Sequence, residues 1–286
     1  MSAVYTPQMY KSDLKPVWCP GCGDFGVLNS LYKAFADLKY EPKDTVVVSG
    51  IGCSSRLPGY VESYGFNSLH GRALPIATGV KLTSPNTKVV VVGGDGDGMA
   101  IGGNHFLHTA RRNVDLTYIM MDNEIYGLTK GQAAPTTPLG DKTKSTTYGN
   151  PEAAVDPCAL AISFGATWVA RAFSGDIKGT TELMKLATQH NGFAFLNIIS
   201  PCVTWRGDDQ HKELRAKLRQ LPAEHDRSSR EDALRFTNEG ADALTTGVLY
   251  DVVHPTLLEE MADIRSRAQG KPPTKAEMLR RFTPAF

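Results

Sequence analysis

The sequence predicts an α/β protein built on a mainly parallel sheet with helices on both faces. Three observations lead there. Between residues 45 and 200, short β-branched or apolar runs alternate with longer helix-like stretches. Four of the five runs are nearly continuously apolar, as strands covered on both faces must be. The side chains able to do chemistry fall where those runs end, the edge at which open parallel sheets bind ligands.

The first helix candidate, "FGVLNSLYKAFADL", sets Val27, Leu28, Leu31, Phe35 and Leu38 along one face. The strand candidates are "TVVVSG" (45 to 50), "TKVVVVGGDG" (87 to 96), "LTYIMMDN" (116 to 123), "ATWVARA" (166 to 172) and "FAFLNIIS" (193 to 200). Between the last two, "SGDIKGTTELMKLATQH" opens with capping residues and carries Ile177, Met184 and Ala187 at helical spacing. Residues 129 to 155 are rich in Thr, Pro and Gly and lack periodicity; a loop this long in a compact domain is more often functional than passive. From Arg206 the chain turns polar, with "HKELRAKLRQL" and "PTLLEEMADIRSRA" as helix candidates. The expected organisation is one domain over residues 1–206 and an extension over 207–286 that packs on it or on a partner subunit.

Bulk properties exclude some functions. The 286 residues carry a formal charge of +1, which gives no footprint for nucleic acid. The first 16 residues have no apolar core like that of a signal peptide, and no run of about 18 apolar residues occurs, so a cytoplasmic protein without a membrane span is expected. Five cysteines, an odd count, favour metal binding or catalysis over a disulfide framework.

Four strand ends carry reactive side chains: Cys53 in "GIGCSSR", Asp95 in "GGDGDG", Asn123 in "DNEIYG" and Cys202 in "SPCVTWR". A glycine-flanked acid after a buried strand offers a hard oxygen suited to a magnesium ion bridging phosphates. Alone, Asp-Gly is an ordinary turn pair. Asn123 follows one helix and one strand later, so both side chains can reach one ion from adjacent strand ends. Cys19 and Cys22 stand two residues apart in "WCPGCGDFG". With Cys53 and Cys202 they make one close pair and two distant singles. That pattern leaves a 4Fe-4S cluster, a zinc site and, less readily, a redox dithiol open.

The "GGDGDG" to "DNEIYG" arrangement resembles the thiamine diphosphate signature. The resemblance implies a magnesium ion held by Asp95, the Asn123 side chain and the Ile125 carbonyl, with Gly94, Gly96 and Asp97 lining the diphosphate site. Gly127 and Thr129 would continue it, with Leu128 and Lys130 toward the substrate. Together with "WCPGCGDFG", "GIGCSSR", "LHGRALPIATGVKL", "MMDNEIYGLTKGQ" and "SPCVTW", the pattern over residues 15–206 resembles the β subunits of 2-oxoacid:ferredoxin oxidoreductases.

In that family four cysteines in this pattern bind one 4Fe-4S cluster beside thiamine diphosphate, which implies the same of Cys19, Cys22, Cys53 and Cys202. Ser54, Arg56 and His70 fall in segments that the resemblance sets around cofactor and substrate; unaided, Arg56 reads as a solvated loop cation and His70 as a helix-start residue. Cys158 reads as a small buried thiol, and His105 and His108 as packing residues without a metal.

The implied reaction is oxidative decarboxylation of a 2-oxoacid with coenzyme A, electrons passing through the cluster to ferredoxin. Arg56 and Lys130 could pair with substrate carboxylates, which leans the substrate toward 2-oxoglutarate over pyruvate. The glutamate that serves the aminopyrimidine ring comes, in related enzymes, from a separate domain. An α subunit, in a heterodimer or a dimer of heterodimers, is therefore expected. The rival reading is a non-enzymatic nucleotide-binding protein with a four-cysteine structural zinc site.

Overall fold

In the computed structural model, described over residues 5–237, 243–268, 270 and 272–283, all five expected strands form. In chain order the strands are β1 Thr45–Ser49, β2 Tyr64–Asn67, β3 Lys88–Gly94, β4 Leu116–Asp122, β5 Ile125–Tyr126, β6 Gln132–Ala133, β7 Trp168–Phe173, β8 Phe193–Ile199, β9 Leu218–Gln220 and β10 Leu244–Asp251. The helices are α1 Asp24–Leu38, α2 Ala73–Thr83, α3 Gly103–Arg111, α4 Pro157–Ser163, α5 Ile177–Gln189, α6 Val203–Arg206, α7 Gln210–Lys217, α8 Arg230–Arg235, α9 Leu257–Arg267 and α10 Lys275–Phe282.

The main sheet runs in the order β2-β1-β3-β4-β8-β7-β10-β9. Its strands from β2 to β7 are mutually parallel, and β10 joins β7 antiparallel.

Apolar side chains feed both faces, which explains the unbroken hydrophobic runs. Val90 and Val92 point into a layer with Val27, Leu31 and Phe35 of α1 and Met184 and Ala187 of α5. Val89 and Val91 point the other way, toward Leu74 of α2, Phe106 of α3 and Ile162 of α4. Each fully buried side chain of this size contributes about 1.5–3 kcal/mol. Helix starts are fixed locally: the Asp176 carboxylate caps α5 by accepting the Gly179 amide at 3.0 Å, and Asp156 caps α4 through Ala159 at 2.8 Å.

Three elements differ from the sequence reading. β2 is an edge strand with all four residues exposed, so it carries no apolar run to reveal it. "HKELRAKLRQL" does not stay helical. It has almost no apolar face, and after Lys217 it extends as β9 alongside β10. Through β10 the region after residue 207 is also woven into the main sheet rather than only laid upon it. α9 and α10 bury no residue, and each begins with a threonine capping box, at Thr256 and Thr274. No helix among the described residues is long and apolar enough to cross a membrane.

Candidate cofactor site

Strand register brings the two halves of the diphosphate motif together. Gly94 at the end of β3 pairs with Met121 of β4, so Asp95 lies level with Asp122, next to Asn123. A hairpin of β5 and β6 folds Tyr126 back onto the first half. The Tyr126 hydroxyl donates to the Gly96 carbonyl at 3.0 Å, and a Cβ on Gly96 would strike the Tyr126 ring. Only glycine permits that approach.

A narrow, partly open cleft lies here. Its walls contain Cys53, Ser54, His70, Gly94, Asp95, Gly96, Asp97, Asn123, Ile125, Gly127, Leu128 and Thr129 of the expected set. Arg56 and Lys130 are exposed and lie outside the lining; Lys130 sits at φ +80°.

The thiols gather on the same rim. Cys19 is exposed, Cys22 and Cys53 half-buried, and Cys202 buried. Cross-links between their segments hold them there. The Trp18 indole donates to the Cys53 carbonyl at 2.8 Å, the Gly23 amide to the Pro201 carbonyl at 3.0 Å, and the Cys202 amide to the buried Gln210 side chain at 2.8 Å. Gly52, at φ +114°, turns the chain into the short helical segment that presents Cys53.

Gly127 is where the two sites meet. A Cβ built there would lie 3.5 Å from Cys202 Sγ, 3.8 Å from Cys53 Sγ and 3.8 Å from Asn123 Nδ2. As they stand, no three His, Cys, Asp or Glu side chains among the described residues close to single-ion distance.

Burial, and then crowding of like-charged groups, set the electrostatics of the site. Burial and the neighbouring Asp122 push the Asp95 carboxyl well above its usual range, against the Thr136 hydroxyl, 2.5 Å away, and the Asn123 amide. Burial, Asp24, Cys202 and Cys19 push the Cys53 thiol up to about 12, and burial followed by Asp24 raises Cys22. Ser54 Oγ and His70 Nδ1 are buried without a hydrogen-bond partner; His70 Nδ1 lies 3.4 Å from Asp97 Oδ1 but is not directed at it. The donor set therefore fits both groups: hard oxygens and orphaned polar atoms for a metal diphosphate, and crowded thiols for a cationic cluster.

Sequence reasoning missed several participants. Asp24, the first residue of α1, lines the cleft with one buried oxygen unpartnered; burial raises its carboxyl to about 6 against the Ser200 hydroxyl and Cys22. Its place two residues after Cys22 was the available signal. Trp205 and Arg206 stand in the quoted "SPCVTWR" stretch, but nothing in it marks them as contacts of the 123–127 turn. Cys158 is fully buried in α4, and His108 accepts from Arg111 at 3.4 Å.

Residues 50–198 match the family described as "Thiamine pyrophosphate enzyme, C-terminal TPP binding domain", and residues 202–266 match the family for the C terminus of the pyruvate ferredoxin oxidoreductase beta subunit. The chain is 42% identical over 252 residues to 2-oxoacid:ferredoxin oxidoreductase 1, subunit beta, of Aeropyrum pernix, covering 84% of this chain and 79% of that one. It is 39% identical over 261 residues to the 2-oxoglutarate synthase subunit KorB of Methanocaldococcus jannaschii, covering 88% and 94%. Among solved structures, a 2-oxoglutarate:ferredoxin oxidoreductase from Magnetococcus marinus, with 2-oxoglutarate, coenzyme A and succinyl-CoA bound, superimposes with a TM-score of 0.91. The identity is 42%, over 98% of this chain and 96% of that one.

Proposed function

The chain belongs to the β subunits of 2-oxoacid:ferredoxin oxidoreductases, of the KorB type, and from that premise we propose that it supplies the diphosphate and cluster half of a 2-oxoglutarate-oxidising enzyme. The balanced reaction takes a 2-oxoacid, coenzyme A and two oxidising equivalents of ferredoxin. It yields the acyl-CoA, carbon dioxide, a proton and reduced ferredoxin.

Thiamine diphosphate, when bound, supplies the electron sink that lets the bond between keto carbon and carboxylate break. Asp95, Asn123 and the Ile125 carbonyl would hold its magnesium ion; Gly94, Gly96, Gly127 and Thr129 would leave room for the diphosphate. Ser54 and His70 would turn their unpartnered atoms to cofactor or substrate. Cys19, Cys22, Cys53 and Cys202 would hold one 4Fe-4S cluster. Gly127, with no side chain, keeps the gap between the two groups short, and this is the observation that carries the reading. It favours electron transfer over a remote structural zinc. Arg56 and Lys130, exposed at the surface, are assigned to substrate carboxylates that arrive when the partner closes the cleft.

An α subunit is required by this reading. Ile51 and Leu128 in the cleft wall are 40% and 51% exposed, and Leu69 beside His70 is 73% exposed, an apolar mouth suited to a partner surface. The α subunit would bring the glutamate that serves the aminopyrimidine and much of the substrate pocket, in a cytoplasmic heterodimer or a dimer of such pairs.

The test is anaerobic co-expression of both subunits. A brown complex that holds thiamine diphosphate and reduces ferredoxin with 2-oxoglutarate and coenzyme A, at higher kcat/KM than with pyruvate, supports the reading. A colourless protein with stoichiometric zinc, or full turnover by this chain alone, overturns it.

A further inference from the structure

The short helix α6 is preceded by Cys202 as its N-cap and ends by gripping the diphosphate turn. The Cys202 carbonyl accepts the amides of Trp205 at 3.2 Å and Arg206 at 2.9 Å, so the cysteine backbone sets where both side chains point. From there Trp205 Nε1 donates to the Gly127 carbonyl at 2.9 Å. Arg206 Nε donates to the Asn123 carbonyl at 3.1 Å and Nη2 to the Glu124 carbonyl at 2.7 Å. Its Nη1 meets Asp141 of the long loop at 2.7 Å. The Trp205 ring also lies against Gly131, where a Cβ would come within 2.8 Å of Cδ2. Three carbonyls of one five-residue turn are thus fixed by the two side chains that follow a single thiol.

We propose that Trp205 and Arg206 form a positioning clamp through which filling of the four-thiol site sets the affinity of the diphosphate site. This rests on the reading that Cys202 binds the cluster and that residues 123–127 bind the metal diphosphate. With Cys202 anchored by a cluster, α6 would be held at its N-cap, and the carbonyls of Asn123, Glu124 and Gly127 would be held in the arrangement seen here. With the thiol free, the start of α6 is held by the Gln210 contact to the Cys202 amide and the Gly23–Pro201 hydrogen bond without a fixed sulfur, so Trp205 and Arg206 grip the turn from a looser base. Hydrogen bonds that orient ligands in this way typically change metal affinity by about tenfold or more. By linkage, a filled diphosphate site must strengthen the cluster site to the same degree.

The test uses the anaerobically purified α/β complex and equilibrium dialysis of thiamine diphosphate at fixed Mg2+. Affinity is measured before and after cluster removal by chelator and mild oxidant, in the native protein, Trp205→Phe and Arg206→Gln. Trp205→Phe keeps a ring over Gly131 and loses only the donor, so it serves if Arg206→Gln folds poorly. In the native complex, cluster removal is expected to weaken binding about tenfold or more. Each variant should lose a similar factor while keeping its iron and its absorbance spectrum, and cluster removal should then add little, because the connection is already cut. Unchanged affinity on removing the native cluster overturns the clamp. So do full native affinity in both variants, or losses that simply multiply. A native complex that binds neither iron nor thiamine diphosphate sinks the functional reading itself and the clamp with it, whereas failure of the clamp alone leaves both groups bound and independent.

Discussion

The Asp97 carboxylate accepts the backbone amide of Gly71 at 2.8 Å on Oδ1, and the same oxygen accepts the Ile51 amide at 2.9 Å. One side chain after β3 thus ties down the loop after β1 and the turn before α2, which carry Cys53 and His70. Gly50 must lack a side chain because a Cβ there would collide with this carboxylate. Asp97→Ala leaves two amides without their partner, at about 1–3 kcal/mol each where they stay buried. Thermal unfolding should fall by several degrees, with weaker thiamine diphosphate binding. Asp97→Asn keeps an acceptor oxygen and should retain most of both. Equal losses in the two variants would show that the charge, not the acceptor, matters.

Acid stability should depend on His190. Its Nε2 lies 2.7 Å from the Thr167 hydroxyl and its Nδ1 3.8 Å from Asp251 Oδ1. Burial lowers its pKa below the ordinary 6.5, against the opposing pull of Asp251 and Asp115. Below pH 6.5 the unfolded chain takes up a proton that the folded chain refuses, so stability falls as pH drops; above it both are neutral and nothing is lost. The slope from this group cannot exceed about 1.4 kcal/mol per pH unit. Urea unfolding between pH 5 and 8 should therefore show a shallower acid-side decline for His190→Gln than for the native chain. Identical slopes would remove His190 from the account.

How legible this was depended on where each signal resides. The five central strands were readable because residues such as Val89 to Val92 feed opposite core layers, which forces an unbroken apolar run. β2 and β9 lie at the sheet edges and were invisible, since exposed edge strands need no apolar code. Asp95, Asn123 and the cysteines could be singled out by glycine spacing and residue chemistry, and the fold brings Cys53, Asp95 and Asn123 to one cleft. The contacts of Trp205 and Arg206 with the 123–127 turn were not, because backbone carbonyl acceptors leave no mark in the sequence.

Gly127 should tolerate a methyl group and nothing larger. The distances of 3.5 to 3.8 Å from a Cβ at this position to Cys202, Cys53 and Asn123 are ordinary contacts, so Gly127→Ala should keep iron and thiamine diphosphate. Gly127→Val adds two carbons more than alanine does to a space bounded by both sulfurs and the amide. Iron and thiamine per protomer should drop together in that variant. Loss of only one would mean that the sites do not share this gap.

Asp95 and Cys22 should separate the two cofactors. Asp95 is 2% exposed and its burial raises the free energy of the charged carboxylate, a cost retained at functional sites. Asp95→Asn preserves the shape while removing the charge, so the cofactor-free protein should unfold at the same or a higher temperature. Thiamine diphosphate affinity should nevertheless fall by about tenfold or more, as expected when a metal's hard ligand is lost. The iron spectrum should persist, because the carboxylate is no part of the thiol set. Cys22→Ser should lose electron delivery to ferredoxin and the cluster absorbance, and its thiamine diphosphate affinity should fall by no more than the factor that cluster removal costs the native complex. A larger loss would mean that Cys22 is a structural element of the diphosphate site rather than a ligand of a separate electron acceptor.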